Sequence, residues 1–239
     1  MHKNPVITLR SKLKGVFPFE VSNKFDIEFF IVFTLLAISS FLIFVLIQYI
    51  ISQKDNVIDY KIFLLVMQVT NPTGVKIAKI VTILGTGNFL VPAYILIITF
   101  LRKRNYTYLV YKTSITAISG LLLGWVLKWI FHRSRPLGHL VSGAGGYSFP
   151  SGHALGGFIF SGIVLYLVWN MKFSYFTKWT CTILFSLFGF CIGLSRIYLH
   201  VHFATDVLGS FFIAIWWLSL MHILTTRRPF GIDNATLSK

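Results

Sequence analysis

Ser195-Arg196-Ile197-Tyr198-Leu199-His200-Val201-His202-Phe203-Ala204-Thr205-Asp206 sets a cation, a histidine and a carboxylate into a sequence otherwise so apolar that each charge needs a reason. The stretch joins two apolar runs, 179–194 and 203–224, and the second has the length a bilayer crossing requires, roughly 20 residues. In a helix His202 and Asp206 share a face, so Asp206 can hold one imidazole nitrogen and leave the other free to attack. A structural helix end carries the same pair, so its meaning depends on the rest of the chain.

Of the 239 residues, 55% are hydrophobic, 17% aromatic and only 12% charged, a balance that does not suit a water-facing surface. Further apolar runs at 27–50, 80–100, 108–130 and 154–169 bring the total to six. The expected fold class is therefore all-α, a polytopic membrane protein with six transmembrane helices. Residues 52–79 differ: they mix Lys54, Asp55, Asp59, Lys61, Lys76 and Lys79 with Ile62, Phe63, Leu65, Val66 and Val69, and Asn71-Pro72-Thr73-Gly74 breaks them. This segment reads as a surface-lying amphipathic piece, with the second span beginning at 80 and Pro92 expected to kink it. No internal repeat or low-complexity segment is present.

The formal charge of +15, from 22 Lys and Arg against 7 Asp and Glu, places basic loops against anionic lipid. No aromatic-interleaved basic tract supports a nucleic-acid partner. Cys181 and Cys191 fall inside one apolar run and read as buried thiols, not as a disulfide or metal pair. The basic N-terminus precedes a full-length apolar run without a small-residue cleavage site, so it reads as an anchor and not as a removed signal peptide.

Six spans put both termini on one side. That side carries Lys3, Arg10, Lys12, Lys14, Lys24, Arg102, Lys103, Arg104, Lys112, Lys172, Lys178, Arg227, Arg228 and Lys239, which are 14 of the 22 basic residues. The other face has Lys54, Lys61, Lys76, Lys79, Lys128, Arg133, Arg135 and Arg196. By the positive-inside rule the termini are cytoplasmic, and the stretch from Ser195 to Asp206 faces outward from the plasma membrane.

Three polar clusters share that outer face: Lys128-x6-Arg135-Pro136 after the third span, Pro150-Ser151-Gly152-His153 before the fourth, and the opening stretch between the fifth and sixth. Lys128, Arg135 and Arg196 are cations that lipid cannot solvate, and they want an anion. Protein carboxylates are too scarce, since Asp206 is the one acidic residue between Asp59 and Asp233. A phosphate fits: arginine offers paired donors, lysine a point charge, and Ser151-Gly152 at a helix start a hydroxyl and backbone N–H groups. The same scarcity argues against a two-metal phosphatase, which clamps its ions with acidic side chains. With phosphate held, His202 backed by Asp206 would attack phosphorus in line. His153 would protonate the leaving oxygen and later activate water.

Lys128-x6-Arg135-Pro136, Pro150-Ser151-Gly152-His153 and Ser195-Arg196-x5-His202-x3-Asp206 together resemble the tripartite signature of the type 2 phosphatidic acid phosphatase superfamily. That superfamily also takes in glucose-6-phosphatases and vanadium haloperoxidases. The match spans 128–206 without a substitution at signature positions, and the six-span layout agrees with the membrane branch. The resemblance implies a cofactor-free, metal-independent lipid phosphatase with a phosphohistidine at His202. It makes His202, His153 and Asp206 the catalytic set, and Lys128, Arg135, Ser151, Gly152, His153 and Arg196 the phosphate ligands. It also implies a substrate such as undecaprenyl pyrophosphate, phosphatidylglycerol phosphate or phosphatidic acid. The partners expected are that lipid phosphate and membrane lipids, with no obligate protein partner evident. The chain then divides into a cytoplasmic segment (1–26), a six-helix membrane phosphatase domain (27–225) and a cytoplasmic tail (226–239).

His132, His139, His200 and His222 match no signature position and read as interface or packing residues. Arg133 sits beside the site, where it could meet a second phosphate. Gly143, Gly145 and Gly146 give a flexible loop able to close over a headgroup. Two other functions remain open: a phosphotransferase that passes the same phosphoryl group to another acceptor, and a transporter for an anionic lipid or phosphate. Against the transporter stands the lack of paired, interrupted helices in two similar halves.

Overall fold

A computed structural model describes residues 23–52, 57–142 and 145–226. The basic residues of 1–22, Lys54, Gly143 and the tail from 227 onward lie outside the described residues. Among the described residues eight helices follow one another: α1 (Asn23–Ser52), α2 (Val57–Val69), α3 (Pro72–Ile83), α4 (Gly87–Lys103), α5 (Thr107–Phe131), α6 (Gly152–Asn170), α7 (Tyr175–Tyr198) and α8 (Ala204–Thr225). No strand occurs among the described residues. Six stretches among the described residues are long and apolar enough to cross a membrane, with α3 and α4 counting as one.

The fourth span lies at the centre. Ten residues of α6 are buried, and it packs on α5, α7 and α8, while α1 covers α8 and leaves most of its own surface to lipid. Between membrane helices hydrophobicity gives little drive, so contact depends on small residues that let backbones approach. Gly193 of α7 is such a point, since a Cβ there would stand 2.7 Å from Val207 Cγ1 of α8. Phe158 of α6, edge-on to Phe190 and Phe211, fills the same junction.

The second span departs from expectation. It starts at Pro72, eight residues before position 80, because Asn71-Pro72-Thr73-Gly74 is a helix start and not a break. Asn71 Oδ1 accepts the Gly74 N–H at 2.8 Å, and Pro72 occupies the first turn, where its missing N–H costs nothing. The interruption falls at 84–86, between α3 and α4, whereas α4 runs through Pro92 unbroken. Gly85 in this break lies against His153, where a Cβ would come within 3.1 Å of that residue's Cβ and carbonyl oxygen. Only the 13-residue α2 keeps the expected character of a helix too short to span. Even so, its Asp59 is buried at 1% exposure. The two cysteines are unpaired, as expected, but Cys191 is exposed and Cys181 half-buried on α7, not buried in the core.

Alternation of the spans brings the last turns of α5 and α7 to the same end of the bundle as the first turns of α6 and α8. His132, in the left-handed region at φ 46°, ends α5 and turns the chain into the connection toward α6. His200, at φ 59°, makes the corresponding turn between α7 and α8.

Candidate active site

The residues of the three polar clusters meet at that end of the bundle. Lys128 lies in the last turn of α5, Ser151 caps α6, Gly152 and His153 open it, Arg196 lies in the last turn of α7, and Asp206 in the first turn of α8. Arg135 and His202 come from the two connections. A Cβ on Gly152 would sit 3.8 Å from Lys128 Cε, so the lysine lies over the start of α6. His153 is half-buried and within electrostatic reach of Arg196, His202, Arg135 and Lys128.

His202 is almost completely enclosed, with 2% exposure. Its Nδ1 lies 3.3 Å from Ser148 Oγ and 3.5 Å from Asp206 Oδ2, and its Nε2 lies 3.2 Å from Arg135 Nη1. A guanidinium only donates, so Nε2 carries the lone pair and the proton sits on Nδ1, facing Ser148 and Asp206. Burial holds the imidazole pKa down to about 4, with Arg135 and Arg196 adding to the effect and Asp206 opposing it. At neutral pH His202 is thus an uncharged imidazole with an available nitrogen. Burial likewise lowers the pKa of the Arg135 guanidinium, partly offset by Asp206.

Some donors around this imidazole are already used. Lys128 Nζ donates to Tyr147 O at 2.6 Å. Arg135 donates from Nε to Gly146 O at 3.1 Å and from Nη1 to Val201 O at 2.8 Å. Arg196 Nη1 donates to Thr82 Oγ1 of α3 at 2.7 Å. Three buried polar side-chain atoms have no partner among the described residues: Arg196 Nε and Ser151 Oγ at this site, and Ser161 Oγ further along α6. Ser151 does not cap its helix with its hydroxyl; its backbone is stitched to α8, with Ser210 Oγ donating to Ser151 O at 3.1 Å. Burying such atoms unpaired costs on the order of 1–3 kcal/mol each, an arrangement natural to a site that receives an acceptor.

Two groups at the site, Ser148 and Asp59, were not foreseen. Ser148, fully buried, donates from Oγ to Asp206 Oδ2. Arg133 does not face a second phosphate. It is 9% exposed and bridges two carboxylates, Asp206 Oδ1 at 2.5 Å from Nη1 and Asp59 Oδ2 at 2.6 Å from Nη2. The signal available was the rarity of acidic residues, which made Asp59 as much in need of explanation as Asp206. The remaining histidines pack, as expected. His200 lies against Phe63 with Nε2 3.1 Å from Thr70 Oγ1, and His132 against Trp129 and Tyr147. His139 Nδ1 lies near Pro136 O, and His222 near Lys112 and Glu28 at the far end of the bundle.

The sequence profile of the PAP2 superfamily matches residues 107–230. Phosphatidylglycerophosphatase B of Bacillus subtilis (strain 168) is 33% identical over 142 residues, covering 56% of this chain and 67% of that protein. Undecaprenyl-diphosphatase BcrC of the same organism is 34% identical over 107 residues, 43% of this chain and 50% of its own length, so this chain spans half of that relative. Among solved structures, the transmembrane PAP2-type phosphatidylglycerolphosphate phosphatase from Bacillus subtilis superposes with a TM-score of 0.68 at 26% identity, covering 79% of this chain and 94% of that one. LpxE of Aquifex aeolicus, at 21% identity, shares the fold with a TM-score of 0.56 over 72% of this chain and 96% of its own. A profile match across more than half the chain, joined to a curated relative one-third identical, settles the lineage: the chain belongs to the PAP2 superfamily, among its membrane phosphatases.

Proposed function

We propose that the protein hydrolyses lipid phosphates or pyrophosphates without a metal ion, through a phosphohistidine on His202, at the extracytoplasmic face of the plasma membrane. The observation that carries this reading is the uncharged, nearly enclosed His202, with Nδ1 turned to Ser148 and Asp206, Nε2 turned to Arg135, and Arg196 within electrostatic reach of the ring. Asp59 and Asp206 carry one negative charge more than Arg133 between them, while Lys128, Arg135 and Arg196 carry three positive charges. The surplus of two positive charges matches a phosphate monoester dianion.

In the proposed reaction His202 Nε2 attacks phosphorus, the P–O bond to the lipid breaks, and His153 gives its proton to the leaving oxygen. His153 then takes a proton from water as the water oxygen attacks phosphorus, which releases inorganic phosphate and restores His202. Lys128, Arg135, Arg196 Nε, Ser151 Oγ and the N–H groups at the start of α6, Gly152 among them, stabilise the equatorial oxygens. Metal independence is supported by the commitment of Asp59 and Asp206 to Arg133, which leaves no free acidic pair at the site among the described residues. The names of the relatives favour phosphatidylglycerol phosphate or undecaprenyl pyrophosphate over other lipid phosphates.

The test is release of inorganic phosphate by purified protein from these two lipids and from phosphatidic acid, with and without a strong chelator, and with vanadate. Turnover that survives chelation and is blocked by vanadate is expected, since five-coordinate vanadate resembles the transition state. Turnover abolished by chelator and restored by magnesium would overturn the metal-free reading.

A further inference from the structure

Asp59 belongs to α2, far from the three signature clusters and outside the residues that the superfamily profile matches. It is a carboxylate with 1% exposure, and both of its oxygens are engaged across the fold. Oδ1 accepts the backbone N–H of Thr205 at 3.0 Å, and Oδ2 accepts Thr205 Oγ1 at 2.5 Å as well as Arg133 Nη2. Thr205 lies in the first turn of α8, whose N-cap residue, Phe203, has no side-chain acceptor to offer. Asp59 therefore reaches across 146 residues to supply a cap that the local sequence lacks.

Its second partner leads to the same place. Arg133 Nη1 donates to Asp206 Oδ1 and to Thr205 Oγ1, and its guanidinium stacks 4.7 Å from the Phe203 ring centroid. The other oxygen of Asp206 accepts from Ser148 Oγ and from Phe203 N at 2.8 Å, on the side where His202 Nδ1 lies. Arg133 thus fixes one edge of the Asp206 carboxylate and presents the other to the imidazole, while Asp59 fixes Arg133 and the helix end beneath it.

We propose that Asp59 and Arg133 are positioning residues for the phosphatase site: α2 is part of the catalytic apparatus, and this ion pair sets both the orientation of Asp206 and its electrostatic hold on His202. The inference rests on the reading of His202 as nucleophile. The charged and titratable groups facing His202 are Asp206 on α8, Arg135 on its connection, Arg196 on α7 and His153 on α6, with Lys128 on α5 facing His153. Arg133 and Asp59 stand behind Asp206.

The consequence is a pair of opposite shifts. In Arg133→Gln the Asp206 charge is no longer shared with a guanidinium, so it stabilises the His202 imidazolium more strongly. The acidic limb of the kcat/KM profile then moves up by about one pH unit. In Asp59→Asn the positive charge of Arg133 is no longer offset, so the limb moves down. Arg133→Lys keeps the charge and loses the fork that holds two carboxylates at once, so its limb stays in place while kcat falls. In all three kcat is expected to fall by about 10- to 100-fold with KM within about threefold, because neither residue touches the lipid.

The experiment is the pH profile of phosphate release from phosphatidylglycerol phosphate by detergent-purified wild type, the three single variants and Asp59→Asn/Arg133→Gln, whose limb should return toward that of wild type. Wild-type turnover that is lost in His202→Ala establishes the underlying reading separately. With that in hand, an unmoved limb in Arg133→Gln, or shifts of one sign in Asp59→Asn and Arg133→Gln, would overturn the positioning role alone. If Asp59→Asn fails to yield monodisperse protein, Arg133→Gln against Arg133→Lys decides: equal limbs refute the inference and an upward shift confined to the glutamine variant supports it.

Discussion

Ser148→Ala isolates the contact that holds the proposed nucleophile. Ser148 Oγ stands 3.3 Å from His202 Nδ1 and donates to Asp206 Oδ2, and the serine is fully buried, so water cannot replace the hydroxyl without rearrangement. Asp206 keeps Arg133 and the Phe203 N–H as donors, so the carboxylate remains satisfied. The imidazole does not fare as well. Its Nδ1–H retains the Asp206 oxygen at 3.5 Å, a separation at which a hydrogen bond contributes little. Loss of a hydrogen bond to a buried polar group costs about 1–3 kcal/mol, or roughly 5- to 150-fold in a rate if the bond tightens as charge develops on the ring. The expectation is a kcat lowered by about 10- to 100-fold at unchanged KM, read by phosphate release from lipid substrate at saturating concentration. A kcat within twofold of wild type would mean that Asp206 alone orients His202, and the shared-acceptor geometry would be wrong.

Other perturbations probe separate parts of the account. Thr82→Val removes the acceptor of Arg196 Nη1, 2.7 Å away, and frees the guanidinium from α3; KM should rise several-fold with a smaller change in kcat, and an unchanged KM would show that the anchor is dispensable. Gly193→Val places side-chain atoms where Val207 already lies, so thermal stability in detergent should drop by the equivalent of about 1–3 kcal/mol. Because burial lowers the His202 pKa to about 4, the imidazole is unprotonated above that pH and the nucleophile is lost as pH falls through it. The acidic limb of wild-type kcat/KM should accordingly lie near 4, and a limb at 6 or above would assign it to another group.

The six spans were legible because a bilayer imposes length and hydropathy on every crossing, and the three clusters because signature spacing survives in sequence. What escaped depended on contacts between distant segments. Asn71-Pro72 resembles a loop because turns and helix starts draw on the same residues; only the Asn71 cap on Gly74 tells them apart. Asp59 was averaged into an amphipathic face, although a lone carboxylate among apolar residues obeys the rule that drew attention to Asp206. Its partners, Arg133 and Thr205, lie 74 and 146 residues away, beyond any local pattern. Ser148 belongs to a Gly-rich connection whose composition suggested flexibility, yet Arg135 and Lys128 donate to the carbonyls of Gly146 and Tyr147 just before it.

The central claim, a covalent phosphoryl group on His202, is tested most directly by trapping it. In His153→Ala the proposed activator of water is gone, so enzyme incubated with phosphate-labelled lipid and quenched in alkali, where phosphohistidine survives, should retain label on the protein. The comparison is with His153→Ala/His202→Ala. Label in the single variant and none in the double variant is the predicted result; equal labelling of the two proteins would contradict His202 as nucleophile.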